Sequence, residues 1–270
     1  SSLGVGTWRM GEQASRRTAE VAAIRTALEL GWRAIDTAEM YGEGGAETVV
    51  GHALADALRA GQVRREEMFV VSKVYPHNAS RRDTVAACER SLKRLGLEQI
   101  DLYLLHWRGA HPLAETVAAF EALQQAGKIR HWGVSNFDVS DMQELQAVGS
   151  ACAANQVFYS ASQRGPEFGL LPWLRQHGMP LMAYSPIDQG SLAADDTLAR
   201  IGAARGLTAA QVALAWVLSQ PGVVAIPKAV SPQHQQDNLA AAGVSLSEAE
   251  LKLIDARFPP PKRKTPLSMI

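Results

Sequence analysis

Apolar positions along the chain follow two alternating rhythms. Eight short runs rich in Val, Ile, Leu and aromatic residues occur at 3–7, 33–37, 68–73, 100–106, 129–135, 154–158, 180–184 and 223–226. Between most of them lie longer stretches with apolar residues at helical spacing, as at 19–30, 48–58, 84–95, 116–126 and 209–218. Strands alternating with helices imply parallel pairing with helical crossovers. Eight such repeats with no break in composition predict one (β/α)8 TIM barrel, an α/β fold, with residues 1–270 as a single domain. Near the end, Ser247-Glu248-Ala249-Glu250 forms a capping box, which predicts an extra C-terminal helix running toward Arg257. Pro259-Pro260-Pro261 then stops it. The competing fold is an open, doubly wound sheet, which usually carries GxGxxG after its first strand. Here Gly4-Val5-Gly6-Thr7-Trp8-Arg9 lacks the third glycine, and no helix opens at once.

A barrel gathers its chemistry at the carboxyl ends of its strands. The second run ends in Asp36, the third in Lys73, the fourth in His106 and the fifth in Ser135-Asn136. Gln156 lies in the sixth, Tyr184-Ser185 closes the seventh, and the eighth leads into Lys228. Packing alone does not explain apolar runs that each finish on a reactive polar group. Asp36, Tyr41, Lys73 and His106 together make a workable acid for a carbonyl oxygen. A phenol is a weak acid near pH 10, and a neighbouring ammonium stabilises its phenolate. A carboxylate holds the ammonium, and an imidazole orients the carbonyl. None of the four supplies a hydride, so a nicotinamide cofactor is implied. Singly, each has a plainer explanation. Tyr41 sits in a glycine-rich loop as a surface tyrosine would, Lys73 is placed like a solvated strand cap, and His106 beside Trp107 like a core histidine.

Composition narrows the partners. Of 270 residues, 27 are basic and 27 acidic, so neither nucleic acid nor an anionic membrane is expected to bind. Hydrophobic residues make up 47%, enough for a large core, yet no run is long enough to cross a bilayer. The opening residues show no charged region ahead of an apolar stretch, so no secretory signal is read. Cys88 and Cys152 are the two cysteines and form no CxxC, which fits a reducing cytoplasm. No metal set stands out, and a monomer is expected.

The motifs resemble the aldo-keto reductases along nearly the whole chain. They are Gly4-Val5-Gly6-Thr7-Trp8, Asp36-Thr37-Ala38-Glu39-Met40-Tyr41-Gly42, Val71-Ser72-Lys73-Val74 and Asp101-Leu102-Tyr103-Leu104-Leu105-His106-Trp107. Gly133-Val134-Ser135-Asn136-Phe137, Asn155-Gln156-Val157, Ala183-Tyr184-Ser185-Pro186 and Ile226-Pro227-Lys228 follow in the family's order. The chain is most similar to bacterial members that reduce methylglyoxal and other small aldehydes. The resemblance implies NADPH-dependent reduction of small aldehydes and ketones, with Asp36, Tyr41, Lys73 and His106 as catalytic tetrad and Tyr41 as proton donor. It implies that Ser135, Asn136 and Gln156 hold the nicotinamide carboxamide and that Tyr184 stacks on its ring. Gly6, Thr7, Trp8 and Asp36 would line the cofactor cleft, with Ser185, Pro186 and Leu192 near the pyrophosphate. Ile226, Lys228, Ala229, His234 and Asn238 would border the far end. Trp8, Tyr75, His106 and Trp107 would wall the substrate pocket.

Three departures qualify this. Ala229 stands where the family often has a serine, and His234 where it has an arginine, both usual contacts of the NADP 2′-phosphate. Lysine does not replace an arginine fork geometrically, so Lys228 alone predicts a narrower NADPH preference, with NADH possible. Ser231-Pro232 still reads as an N-cap followed by Pro at the first helical position, a helix start that attracts phosphate. The segment 187–196 is shorter than the loop many relatives fold over the pyrophosphate, and the chain starts at the first strand without the family's amino-terminal hairpin. Two alternatives remain: a cofactor-sensing regulatory subunit such as the potassium-channel β subunits that resemble this family, and a barrel enzyme using Lys73 as a Schiff-base nucleophile. The loop 160–169 carries no motif that names a substrate.

Overall fold

The computed structural model describes residues 2–149 and 151–270. Its eight strands are β1 (Val5–Gly6), β2 (Ala34–Asp36), β3 (Phe69–Val74), β4 (Ile100–Leu105), β5 (Ile129–Ser135), β6 (Cys152–Phe158), β7 (Leu181–Tyr184) and β8 (Val223–Ile226). Each pairs in parallel with the next, in sequence order. The ends meet: Leu3 bridges Ala225 in parallel, Gly4 N donates to Ala225 O at 2.9 Å, and Gly6 N donates to Pro227 O at 3.0 Å. The sheet is therefore a barrel, and the open doubly wound alternative does not apply.

Helices α1 (Arg17–Glu29), α2 (Gly45–Arg59), α3 (Arg81–Leu95), α4 (Leu113–Gln125), α5 (Val139–Val148) and α6 (Leu170–Gln176) follow the first six strands in turn. The seventh is followed by α7 (Asp196–Ala203) and α8 (Ala209–Leu218), the eighth by α9 (Pro232–Ala241), and α10 (Glu248–Arg257) is the extra helix. Caps explain several starts. Ser80 accepts from Asp83 N, while Thr208–Gln211 and Ser247–Glu250 are capping boxes. α2 and α3 begin three residues earlier than their apolar spacing predicts; Ser80 caps α3, whereas α2 follows Gly44, which is left-handed and offers no side-chain cap. At α9, Ser231 has the extended backbone of an N-cap and Pro232 follows, but its side chain makes no capping bond. That part of the expectation is corrected: the first amides of α9 are not satisfied by Ser231.

Alternation along the strands sorts the core into two layers. Val71, Leu102, Leu104, Ala154, Met182 and Ile226 pack together as one cluster inside the barrel. Their outward neighbours, such as Val70, Tyr103, Val157 and Ala225, join the larger layer between sheet and helices. Every strand is thus buried on both faces, as parallel strands are. The inner layer has little spare room. A Cβ on Gly133 would lie 2.5 Å from Ala154 O and 2.9 Å from a methyl of Leu104. Gly133→Ala is expected to cost about 1–3 kcal/mol through overpacking, seen as a Tm several degrees lower in thermal unfolding. An unchanged Tm would contradict this packing.

Candidate active site

The inner ladder continues one step past its apolar layer. Two residues after Val71 comes Lys73, after Leu104 His106, after Ala154 Gln156, after Met182 Tyr184, and after Ile226 Lys228. Side chains two apart share a face, so these polar groups inherit the inward direction of the core below them. Asp36 ends β2, and Ser135 ends β5 two residues after Gly133. Seven sequence-distant residues therefore converge on one mouth.

At the centre, Lys73 has no exposed surface and Asp36 is only 3% exposed. Lys73 Nζ donates to Asp36 Oδ2 at 2.8 Å, to Thr37 O at 2.8 Å and to the Tyr41 hydroxyl oxygen at 3.2 Å. All three ammonium protons are used. Gln156 Nε2 donates to the other carboxylate oxygen of Asp36 at 2.8 Å, and Thr7 Oγ1 donates to Asp36 O at 2.9 Å. With its surface covered and its nitrogen bonded to Asp36, Thr37 and Tyr41, Lys73 is screened from a carbonyl carbon, which weighs against the Schiff-base alternative. Burial pushes its ammonium below the ordinary lysine value, and Asp36 opposes that shift.

Tyr41 begins the turn after β2, and its ring faces the Lys73 ammonium at 4.8 Å. The expected acidification by Lys73 is outweighed. Burial, and then the Asp36 carboxylate, raise the phenol well above its ordinary value. Asp36 lies closer to the ammonium than the phenol does and opposes its field at the phenol. Tyr41 thus carries its proton at neutral pH. Because Lys73 donates to the phenol oxygen, the O–H is left free to point elsewhere. His106 stands edge-on to Tyr41 with ring centroids 5.7 Å apart. Burial, and then Lys73, lower its pKa well below the usual histidine value, so the imidazole is neutral. Its Nδ1 is buried without a hydrogen-bond partner among the described residues.

The mouth opens into a cavity of about 790 Å³. Of the residues expected there, Gly6, Trp8, Asp36, Tyr41, His106, Trp107, Ser135, Asn136, Gln156, Tyr184, Ser185, Pro186, Ile226, Lys228, His234 and Asn238 line it. Thr7, Tyr75, Leu192 and Ala229 do not. Thr7 is fully buried beneath Asp36, and Leu192 belongs to the outer core layer. Ala229 is 5% exposed and its carbonyl accepts from Gln235. Tyr75 stands behind Trp107, edge-on at 5.9 Å, with its hydroxyl 3.4 Å from Glu43. Ser135 Oγ donates to Gln156 O at 2.8 Å, and Asn136 Nδ2 donates to Ser135 Oγ at 3.2 Å. The Tyr184 hydroxyl donates to Asn136 Oδ1 at 2.9 Å. Asn136 adopts a left-handed φ of 59°, which turns its amide into the mouth.

Several lining residues were not anticipated. Arg9, at φ 63°, stacks its guanidinium 4.4 Å above Trp8. Neither Arg9 nor Lys228 has an ion pair among the described residues. Thr208 at the N-cap of α8, Ala210 within α8, Asp237 from α9, Gln189, and the tail residues Met269 and Ile270 also line it. The tail crosses the mouth because Lys264 pairs with Asp138 at 3.0 Å and Ser268 donates to Gln163 at 2.9 Å. The short segment after β7 is a 3-10 run, Asp188–Ala194, with Ser185, Asp188 and Gln189 in left-handed conformations.

The comparisons agree with this architecture. The model of the aldo/keto reductase family matches residues 2–257. This chain belongs to the aldo/keto reductase family. Its members are nicotinamide-dependent oxidoreductases of carbonyl groups, and the (β/α)8 barrel is theirs. The chain is 51% identical to methylglyoxal reductase YeaE of Escherichia coli, over 100% of this chain and 95% of that protein. It is 48% identical to an aldo/keto reductase of Klebsiella pneumoniae solved in complex with NADP and acetate. That match covers 100% of this chain and 95% of the other, with a TM-score of 0.94. A structure of a Klebsiella pneumoniae aldo-keto reductase with NADPH matches equally well, at 48% identity and a TM-score of 0.94.

Charge burial makes a direct prediction here. Asp36→Asn leaves the buried Lys73 ammonium without its hydrogen-bonded counter-charge, and is expected to cost about 3–5 kcal/mol at neutral pH. Lys73 in the folded state already sits below its unfolded value, so between those two values the unfolded chain binds more protons and stability rises with pH. The deficit of the variant should therefore shrink as thermal unfolding is repeated at increasing alkaline pH. A deficit that does not vary with pH would contradict the assignment.

Proposed function

We propose that the protein reduces small aldehydes and ketones with NADPH, methylglyoxal among them, and that Tyr41 delivers the proton to the carbonyl oxygen. The observation that carries this reading is the free O–H of Tyr41, whose oxygen accepts from the buried Lys73 at 3.2 Å while Lys73 is held by Asp36. A dinucleotide suits the cavity in size and in chemistry. A volume of about 790 Å³ is at the large end for small-molecule sites. Two cations without ion pairs among the described residues, Arg9 and Lys228, border it, and amide groups of Asn136 and Gln156 stand beside the tyrosine. Bound NADPH supplies the hydride.

The residues divide the remaining work. Ser135, Asn136 and Gln156 offer the donors and acceptors that would hold a carboxamide, and Tyr184, stacked on Phe158 at 5.5 Å, supplies a flat surface beside them. Arg9 and Lys228 would take the phosphates. Neutral His106 has no acceptor at Nδ1, which favours the tautomer with its proton on Nε2, a donor for orienting a carbonyl oxygen. As the oxygen gains negative charge, Tyr41 transfers its proton and the phenolate forms against Lys73. Trp8 and Trp107 exclude water around the carbonyl, and Tyr75 buttresses Trp107 from behind. Met269 and Ile270 add apolar wall, in keeping with small, weakly polar substrates. The relatives' names favour an enzyme over a cofactor-sensing subunit.

Following NADPH absorbance with methylglyoxal tests the reading. The wild type is expected to turn over, and Tyr41→Phe to lose on the order of 10²–10⁴ in kcat. Equal rates would remove Tyr41 from its role. A second expectation concerns the cofactor. NADPH should be preferred over NADH by a modest ratio of kcat/KM, because Lys228 is kept while Ala229 is buried and His234 replaces an arginine. His234→Arg should widen that ratio by about tenfold or more, the value of a charge-assisted hydrogen bond. Wild-type preference for NADH, or no effect of His234→Arg, would contradict it.

A further inference from the structure

Behind β3 lies a buried ion pair that this chemistry leaves unused. Glu47, in the first turn of α2, has no exposed surface. Its Oε1 accepts from Ser72 Oγ at 2.5 Å and its Oε2 accepts from Arg94 Nε at 2.6 Å. Arg94 sits in the last turn of α3, and its Nη2 reaches Ser91 Oγ at 3.4 Å. Two glycines make the room. A Cβ on Gly44 would lie 2.5 Å from Arg94 Nε, and one on Gly51 would lie 2.4 Å from Arg94 O. At this point α2, α3 and β3 are interlocked.

The residues so joined are each a short step from the reacting pair. Ser72 immediately precedes Lys73, and alternation sends Ser72 outward to Glu47 while Lys73 points inward. Glu47 follows the turn that bears Tyr41. In that turn Gly42, Glu43 and Gly44 are all left-handed, at φ 58°, 51° and 85°. Glu43 pays a steric penalty there, and such a conformation persists only where the surroundings hold it. Arg94 packed on Gly44, and Glu47 clamped between Arg94 and Ser72, are those surroundings.

We propose that Ser72, Glu47 and Arg94 form a positioning network that fixes the spacing between the Tyr41 hydroxyl and the Lys73 ammonium from outside the barrel. The proposal rests on Tyr41 and Lys73 being the proton-donating pair. The network also acts electrically. Lys73 is faced by Asp36 from β2, Tyr41 from the following turn, His106 from β4 and Glu47 from α2, and the two carboxylates favour its charged form. A network with only a structural role would change stability and leave the chemistry alone.

Ser72→Ala, Glu47→Gln and Arg94→Lys separate these roles when kcat for methylglyoxal is measured across pH, beside Tm and the Kd for NADPH from its fluorescence. Ser72→Ala is expected to lower kcat by on the order of tenfold to a hundredfold, the cost of misplacing a reacting group by a fraction of an ångström to an ångström, with Kd for NADPH unchanged. Glu47→Gln removes a negative charge that supports the ammonium, so the alkaline limb of its kcat profile should move to lower pH. Arg94→Lys keeps the charge pair but loses the fork, so kcat should fall while the limb stays in place. Folded Ser72→Ala and Glu47→Gln proteins with wild-type kcat and pH profile, and only a lower Tm, would overturn the proposal. If those two do not fold, a wild-type kcat in Arg94→Lys overturns it. Absence of NADPH-dependent turnover in the wild type would instead strike the functional reading, which keeps the two failures apart.

Discussion

The structure depends on burying one ammonium inside a barrel. An uncompensated charge in such a place costs several kcal/mol even after relaxation, and the cost is met only by close, complete pairing. Lys73 achieves this with a carboxylate from β2, a carbonyl one residue later and a phenol from the turn beyond. Asp36 in turn is fixed by Gln156 from the opposite side of the barrel, 120 residues away in sequence. The pair therefore requires the barrel to be closed and in register, and rewards it for being so. It also bears on the state of its neighbours: burial, and then Asp36, keep Tyr41 protonated, while burial, and then Lys73, keep His106 neutral.

Much of this was legible in the sequence, for a physical reason. A parallel strand buried on both faces reads as an apolar run, and a polar residue at its carboxyl end in the inward register must face the mouth. Asp36, Lys73, His106 and Tyr184 stand at or beside the ends of their runs and Gln156 lies within β6, so the apolar runs themselves located these residues before any contact was known. Helices whose starts are capped by polar side chains were legible too, as at Ser247. The helices α5 and α6 were not, since α5 buries only Met142 and Leu145, and α6 is seven residues long and contains Pro172.

Other features depend on placement that no local pattern encodes. Tyr75 follows β3 closely, yet its position behind Trp107 depends on Glu43 drawing its hydroxyl away. Met269 and Ile270 are ordinary apolar residues in a polar tail, and only the Lys264–Asp138 and Ser268–Gln163 contacts carry them to the cavity. Arg9 adjoins a motif residue, but its left-handed backbone and its stacking on Trp8 arise in three dimensions. Tyr41 is less acidic than the sequence suggests because burial of the phenol, which no local pattern encodes, outweighs the ammonium beside it. Glu47 and Arg94 lie in unremarked helical turns, and their link to β3 requires Gly44 and Gly51 to be read as space rather than as flexibility.

The central claim is that Tyr41 and Lys73 act as one unit in proton delivery. A double-mutant cycle on kcat with Tyr41→Phe and Lys73→Met tests it most directly. Residues that work as a unit lose little more together than apart. The account predicts a double variant no slower than the slower single variant. Losses that multiply in the double variant would mean that the two residues act independently, and would contradict it.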